Sequence, residues 1–287
     1  MTPLVPAKTT TGVQTDAAQA FSAYAIAYDR EQVRNPIARW TRRRNLALLE
    51  RAFAPGSHVL EIGCGTGVEA IHLARRGVQV VATDAAPGMI AVLRSKLEPG
   101  GEAHDVARRI EPLVMPASEV GTFIRSASTG LFDGAYSSFG PLNCEPDLQR
   151  VLSDVAAAVR PGGRVVISLI TRFCLWETAW YLLHGDADAA FRRWGGRARA
   201  TVRDRWRELR VPVYYWSTRQ VRAVARRHFV LERQMALPWL LPPQYLGGLA
   251  RRFPRVSQVI ARIERRLASR WPFYAIGDHY VVVLVRR

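Results

Sequence analysis

The nine residues Val59-Leu60-Glu61-Ile62-Gly63-Cys64-Gly65-Thr66-Gly67 constrain this chain more than any other stretch. A short apolar run carrying one acid passes straight into three alternating glycines. A strand must therefore end in a turn whose backbone has no Cβ to hold a ligand away. Residues 68–76 then take a helical pattern, which aims the free N–H groups of a first helical turn at whatever fills the glycine turn. A second apolar run, 78–83, closes on Asp84, and a carboxylate at the end of a second strand is placed to accept from ribose hydroxyls. Together these features imply an α/β chain with a nucleoside-cofactor site at the carboxyl ends of its strands.

The glycine spacing narrows the cofactor. The dinucleotide pattern G-x-G-x-x-G needs its third glycine where Val68 stands; here that glycine comes one residue early, at Gly67. The pattern Glu-x-Gly-x-Gly-x-Gly instead resembles the first motif of the class I S-adenosylmethionine-dependent methyltransferases. Further motifs follow in that family's order. Asp84 matches its ribose-binding acid, Phe132-Asp133-Gly134-Ala135-Tyr136 its fourth strand, and Arg160-Pro161-Gly162-Gly163 the turn before its fifth. Upstream, the stretch from Phe21 to Tyr28-Asp29 looks like the N-terminal helix that covers the cofactor in many members. A tight turn in another α/β fold, and a methyltransferase-like scaffold that binds the donor without turning it over, are the alternatives to be weighed against it.

The resemblance implies a Rossmann-like, seven-stranded, mostly parallel sheet. Its last strand runs antiparallel between the fifth and sixth, with N-terminal helices and a helical cap around the sheet. It implies S-adenosyl-L-methionine as cofactor, with Glu61, Gly63, Cys64, Gly65 and Gly67 around the methionine part and Asp84 on the ribose. Ala85 and Met89 are suited to the adenine face. Ala117, Ser118 and Glu119 stand where the family makes an adenine-amine contact, with its usual acid shifted or replaced. Ser137 and Phe139 follow the fourth strand, close to the transferable methyl group.

Laid on that fold, the strands fall at 58–62, 78–83, 112–115, 134–137, 164–170, 229–235 and 279–285, with helices at 17–28, 36–52, 68–76, 87–96 and 147–159. Residues 1–16 read as a flexible tail, 17–55 as helices covering the cofactor, and 56–170 as the core, completed by 229–235 and 279–287. The segments 171–228 and 236–278 both leave and re-enter the sheet on its ligand-binding face. Topology thus makes both of them a cap that binds the acceptor.

Composition sharpens that cap. Residues 1–170 hold 18 basic and 16 acidic side chains, whereas residues 171–287 hold 23 and 8 and seven of the eight tryptophans. Residues 255–271 form an amphipathic helical pattern, with Val256, Val259, Ile260, Ile263, Leu267 and Trp271 at helical spacing and arginines on the other faces. The plain expectation is an apolar stripe packed on the core with solvated arginines. The sharper ones are contact with an anionic membrane surface, or an arginine-lined mouth for an acidic molecule.

The reaction implied is in-line methyl transfer to a small apolar or acidic acceptor, lipid-like molecules included. An RNA methyltransferase is the alternative, although no nucleic-acid recognition module accompanies the charge. The segment Ser138-Phe139-Gly140-Pro141-Leu142-Asn143-Cys144 lacks the paired prolines of enzymes acting on nucleobase or glutamine amines. Tyr28 and His279 are the candidate catalytic groups, and Phe139, Asn143 and His184 the candidate acceptor contacts. No His, Asp, Glu or Cys cluster has metal-ligand spacing. Cys64, Cys144 and Cys174 form no disulfide framework, and no stretch approaches the roughly 20 apolar residues of a membrane span. A cytoplasmic protein, peripheral at the membrane if the basic cap binds lipid, is the expectation.

Overall fold

Apolar side chains alternate along the central strands, so neighbours such as Val59 and Leu60, Val80 and Val81, or Val165 and Val166 fall into two separate buried clusters. A sheet that is apolar on both faces must be covered on both. In a computed structural model of the protein, residues 10–126, 130–203 and 208–287 are described. The sheet contains β1 (His58–Ile62), β2 (Gln79–Asp84), β3 (Ile110–Val114), β4 (Phe132–Ser137), β5 (Val159–Ile170), β8 (Phe229–Ala236) and β9 (His279–Arg286). Their order is β3-β2-β1-β4-β5-β9-β8, and β9 runs antiparallel to both its neighbours. Helices α2 (Pro36–Ala52), α3 (Val68–Arg75) and α4 (Pro87–Leu97) supply Leu49, Leu73 and Leu93 to one face. On the other, α5 (Val120–Ser126), α6 (Leu148–Ala158) and α9 (Thr218–Ala225) supply Val120, Leu152 and Val221.

The expected tail over 1–16 lies outside the described residues as far as residue 9. From Thr10 the chain is helical, as α1 (Thr10–Arg34), so the first helix starts earlier and ends later than its expected bounds. Asn35 stops α1 and caps α2, accepting from the backbone N–H of Ile37 and Ala38 ahead of Pro36 at the first turn.

The segment after β5 is not the purely helical cap expected. Short helices α7 (Leu175–Leu183) and α8 (Ala187–Phe191) lead into an antiparallel pair, β6 (Arg197–Arg203) and β7 (Glu208–Tyr214). Val211 of β7 packs with Ala17 and Ala20 of α1, which brings the hairpin over the carboxyl ends of the central strands.

The segment between β8 and β9 holds α10 (Gly247–Arg252) and α11 (Pro254–Leu267). It packs on α2, where Ile37 meets Leu241 and Ala250 and is flanked by Ile260. The expected burial of its apolar stripe is met only in part: Ile260 and Leu267 pack inward, but the other four residues do not. Val256, Val259, Ile263 and Trp271 are exposed, and Glu264 is the residue of α11 that is fully buried. The Glu264 carboxylate accepts from the backbone N–H of Trp239, Leu240 and Leu241. Three donors satisfied at once fix the face on which the helix docks, and this turns Val256, Val259 and Ile263 outward.

A buried ionic cluster fastens both insertions to the sheet. Arg193 donates to Glu177 at 2.6 Å and to Asp278 at 3.0 Å, and Asp278 faces the His279 Nδ1 at 3.1 Å. Burial alone would raise the Asp278 carboxyl, but the neighbouring His279 and Arg193 outweigh it and hold the group well below the usual carboxylate range. Because the folded value is depressed, this contribution to stability is complete above the unfolded value of about 4 and is lost as pH falls below it. Urea midpoints followed across that range are expected to fall on acidification, and to fall less steeply in Asp278→Asn. Among the described residues no helix is long and apolar enough to cross a membrane.

Candidate active site

The glycine turn is built against β2. Gly63 and Cys64 both donate to the Thr83 carbonyl at 2.8 Å, and Gly65 donates to Asp84 Oδ2 at 2.8 Å. Asp84 Oδ1 takes the Ala86 N–H at 2.8 Å, so each carboxylate oxygen holds one backbone donor and keeps acceptor capacity for a ligand hydroxyl. Burial pushes the Asp84 carboxyl up, and these two N–H groups oppose that shift. Gly63 has φ +76°, and a Cβ there would lie 2.2 Å from that of Pro141, so only glycine lets the turn approach the loop after β4. Gly67 serves a different need, since a Cβ there would strike the Leu93 side chain between α3 and α4.

A cavity of about 260 Å³ opens beside this turn. Of the expected cofactor residues, Gly63, Cys64, Gly65, Asp84, Ala85, Met89 and Ala117 line it. Gly67, Ser118, Glu119 and Ser137 are not on its wall; Glu119 is exposed and Ser137 is buried away from it. Met115, which ended the expected third strand, lines the cavity together with Met89 and Ala117, an apolar set suited to an adenine face. Glu61 is buried beneath the turn rather than on the wall, and its Oε2 has no hydrogen-bond partner. Burial pushes the Glu61 carboxyl well up, and the neighbouring Glu69 carboxylate adds to that.

Arg42 of α2 is the main feature that sequence reasoning missed. Its Nε lies 3.0 Å from Glu69 Oε1, and its guanidinium sits 5.5 Å from the Phe139 ring centre. It is the one cationic side chain among the described lining residues, against the carboxyl groups of Glu69, Asp84 and Glu145 on the wall and Glu61 just below. A ligand carrying ammonium and sulfonium charges together with one carboxylate suits this set. The orphaned Glu61 oxygen, the acid excess and the glycine cradle thus fit S-adenosylmethionine, with Arg42 the candidate for its carboxylate.

Helix α1 closes the cavity from above. Asp29 pairs with Lys96 and accepts from the Thr66 hydroxyl within the glycine turn, while the Gly88 N–H donates to Ser22 Oγ at 3.1 Å. Tyr28 lines the cavity, but burial raises its phenol above the ordinary value and Arg42 only partly opposes this. At neutral pH it is an uncharged hydroxyl, which suits hydrogen bonding to a ligand and not proton abstraction. Phe139 lines the cavity at φ +62°, a left-handed conformation costly for an aromatic residue and held here between Ser138, which accepts from Asn45 at 2.8 Å, and Gly140.

The other acceptor candidates are placed differently from their expectation. His279 does not line the cavity; its ring stands edge-on to Phe139 at 6.4 Å, and its Nδ1 is engaged by Asp278. His184 is exposed, with its ring against Trp180. Asn143 is on the wall, but its amide is spent on structure. It donates to the carbonyls of Ile170 and Tyr214 and accepts from the Ile170 N–H, which ties the hairpin to β5. None of 236–278 lines the cavity, so the basic segment expected over the acceptor faces elsewhere. In its place Ala17, Ala18 and Phe21 of α1 oppose Ala200, Val211 and Val213 of the hairpin, with Cys144 and Glu145 beside them. Among the described residues no group of three or more His, Cys, Asp or Glu side chains is placed to hold a metal ion.

A glycine turn after β1, an acid ending β2 and an antiparallel strand between the fifth and sixth are the arrangement of the methyl-donor-binding α/β proteins. The chain carries a methyltransferase domain similar to those of the class I S-adenosylmethionine-dependent methyltransferases. Residues 59–163 match the family described as "Methyltransferase domain". A relative named ubiquinone biosynthesis O-methyltransferase, from Xanthomonas axonopodis pv. citri, is 30% identical over 118 residues, 41% of this chain and 44% of that protein. The chain thus spans less than half the length of that relative. The CcbJ methyltransferase of Streptomyces caelestis shares the fold at TM-score 0.54 and 16% identity, over 85% of this chain and 88% of that one. A phosphoethanolamine N-methyltransferase 2 of Haemonchus contortus, solved with S-adenosylhomocysteine, does so at 0.52 and 17%, over 85% and 52%.

Proposed function

We propose that the protein transfers the methyl group of S-adenosylmethionine to a hydroxyl on a small apolar acceptor held between α1 and the β6–β7 hairpin. The observation that carries this is the wall beyond the cofactor end, where Phe21, Ile170, Ala200, Val211 and Val213 offer aliphatic and aromatic surface and, among the described residues, no cation. Such a chamber takes an apolar body and disfavours an acidic one. Oxygen as the methylated atom is supported by the similarity to the Xanthomonas relative, which is named an O-methyltransferase. When bound, the cofactor supplies an electrophilic methyl group on a cationic sulfur. The chain's part is to hold donor and acceptor in line and to keep water out, by closing α1 and the hairpin over the cavity. We assign uptake of the hydroxyl proton to Glu145, which is buried beside Cys144 on the acceptor wall.

The test is incubation of the full chain with methyl-labelled S-adenosylmethionine, a cell extract and total RNA. Label is expected in organic-soluble small molecules, with transfer by Glu145→Gln lowered roughly a hundredfold, the scale of a lost general base. Label confined to RNA would overturn the proposal, as would full activity in Glu145→Gln.

A further inference from the structure

The outward turn of α11 leaves a surface that the cofactor site does not use. Val256, Val259 and Ile263 form one stripe, 55%, 51% and 43% exposed, and Trp271 just beyond them is 77% exposed. Arg255, Arg262, Arg266 and Arg270 are exposed along the same segment. Both acids of residues 236–278, Glu264 and Asp278, are buried, and among the described residues none of these four arginines has an acidic partner. Trp271 also lines a groove against the α9 face of the sheet. The groove floor is apolar, with Val282 and Leu284 of β9, and its rim carries Arg219, Arg222 and Arg226 of α9. The ridge and its flanking arginines therefore combine exposed apolar surface with cations alone.

We propose that this face docks on an anionic lipid bilayer, with the Val256–Val259–Ile263 ridge and Trp271 entering the headgroup layer and the flanking arginines meeting lipid phosphates. Charge complementarity selects this occupant. A second copy of the chain would bring the same arginines against these, an arrangement that like charges oppose. A nucleic acid would meet the arginines but would gain nothing from an aliphatic ridge, and no array of aromatic rings is set there for base stacking. Helices of this composition lie in the interfacial plane, and each basic residue near an anionic surface contributes about 1 kcal/mol. The proposal is independent of the methyl-transfer reading, because it concerns a face remote from the cavity and is read by binding.

The test is flotation of the full chain with phosphatidylcholine vesicles, with and without phosphatidylglycerol. Enrichment is expected only on the anionic vesicles. The exposed double variant Arg262→Gln/Arg266→Gln is expected to partition roughly thirtyfold less, from two residues of about 1 kcal/mol each. Val256→Ser/Val259→Ser/Ile263→Ser is expected to lose flotation while keeping the wild-type circular dichroism spectrum, since all three side chains are exposed. Equal binding to neutral vesicles, or wild-type flotation by the triple variant, would overturn the proposal. So would failure to float together with a dimer or an RNA complex that the triple variant abolishes.

Discussion

Replacing Asp84 with alanine is expected to raise the dissociation constant for S-adenosylmethionine about a hundredfold. The side chain has two tasks that no neighbour can assume. It fixes the turn, by accepting from Gly65 and from Ala86 at 2.8 Å each. It also keeps one acceptor position on each oxygen for the ribose, and hydrogen bonds to a carboxylate contribute about 1.5–3 kcal/mol apiece. Loss of about 3 kcal/mol corresponds to two orders of magnitude in affinity. Equilibrium dialysis with labelled donor measures the change, and Asp84→Asn, which keeps one acceptor oxygen, is expected to fall between alanine and wild type. Wild-type affinity in Asp84→Ala would remove the ribose role.

Glu177→Ala is expected to cost the largest share of stability of any single change outside the sheet. The carboxylate is 1% exposed and accepts from Arg192 Nε, from Arg193 Nε and Nη2, and from the Tyr245 hydroxyl. These donors come from both insertions, so one side chain holds together segments far apart in sequence. Its removal leaves the buried Arg193 with Asp278 alone. Breaking a buried pair from one side costs about 3–5 kcal/mol because the remaining charge stays desolvated. For a chain of this size that corresponds to a melting temperature lower by roughly 10 °C. A thermal scan followed by circular dichroism reads the shift, and an unchanged melting temperature would mean that the insertions are held by packing instead.

The parts of the structure legible in the sequence are those set by short-range rules. Alternating valines and leucines place the core strands to within a few residues, and the early Gly67 together with Asp84 locates the cofactor turn. What escaped has identifiable causes. The β6–β7 hairpin pairs Arg197–Arg203, where arginines alternate with small residues, against a strand carrying Pro212, and proline ordinarily argues against a strand interior. The orientation of α11 was hidden because periodicity assigns the apolar stripe to the core. Glu264 overrides this by satisfying three backbone donors, which no helical pattern can announce. Arg42 was missed for a related reason: it sits in the run Arg42-Arg43-Arg44 on a basic helix, and only tertiary packing distinguishes the arginine that faces Glu69 from the exposed Arg43 and from Arg44, which lies over Trp40.

Hydrogen exchange of the full chain with and without S-adenosylmethionine tests most directly where the donor sits. Binding is expected to slow exchange at residues 63–67 and 84–89, and along the Phe21 to Tyr28 stretch of α1 that closes over the turn, while α11 is unchanged. Donor binding that leaves the glycine turn and the Asp84 segment unprotected would contradict the site.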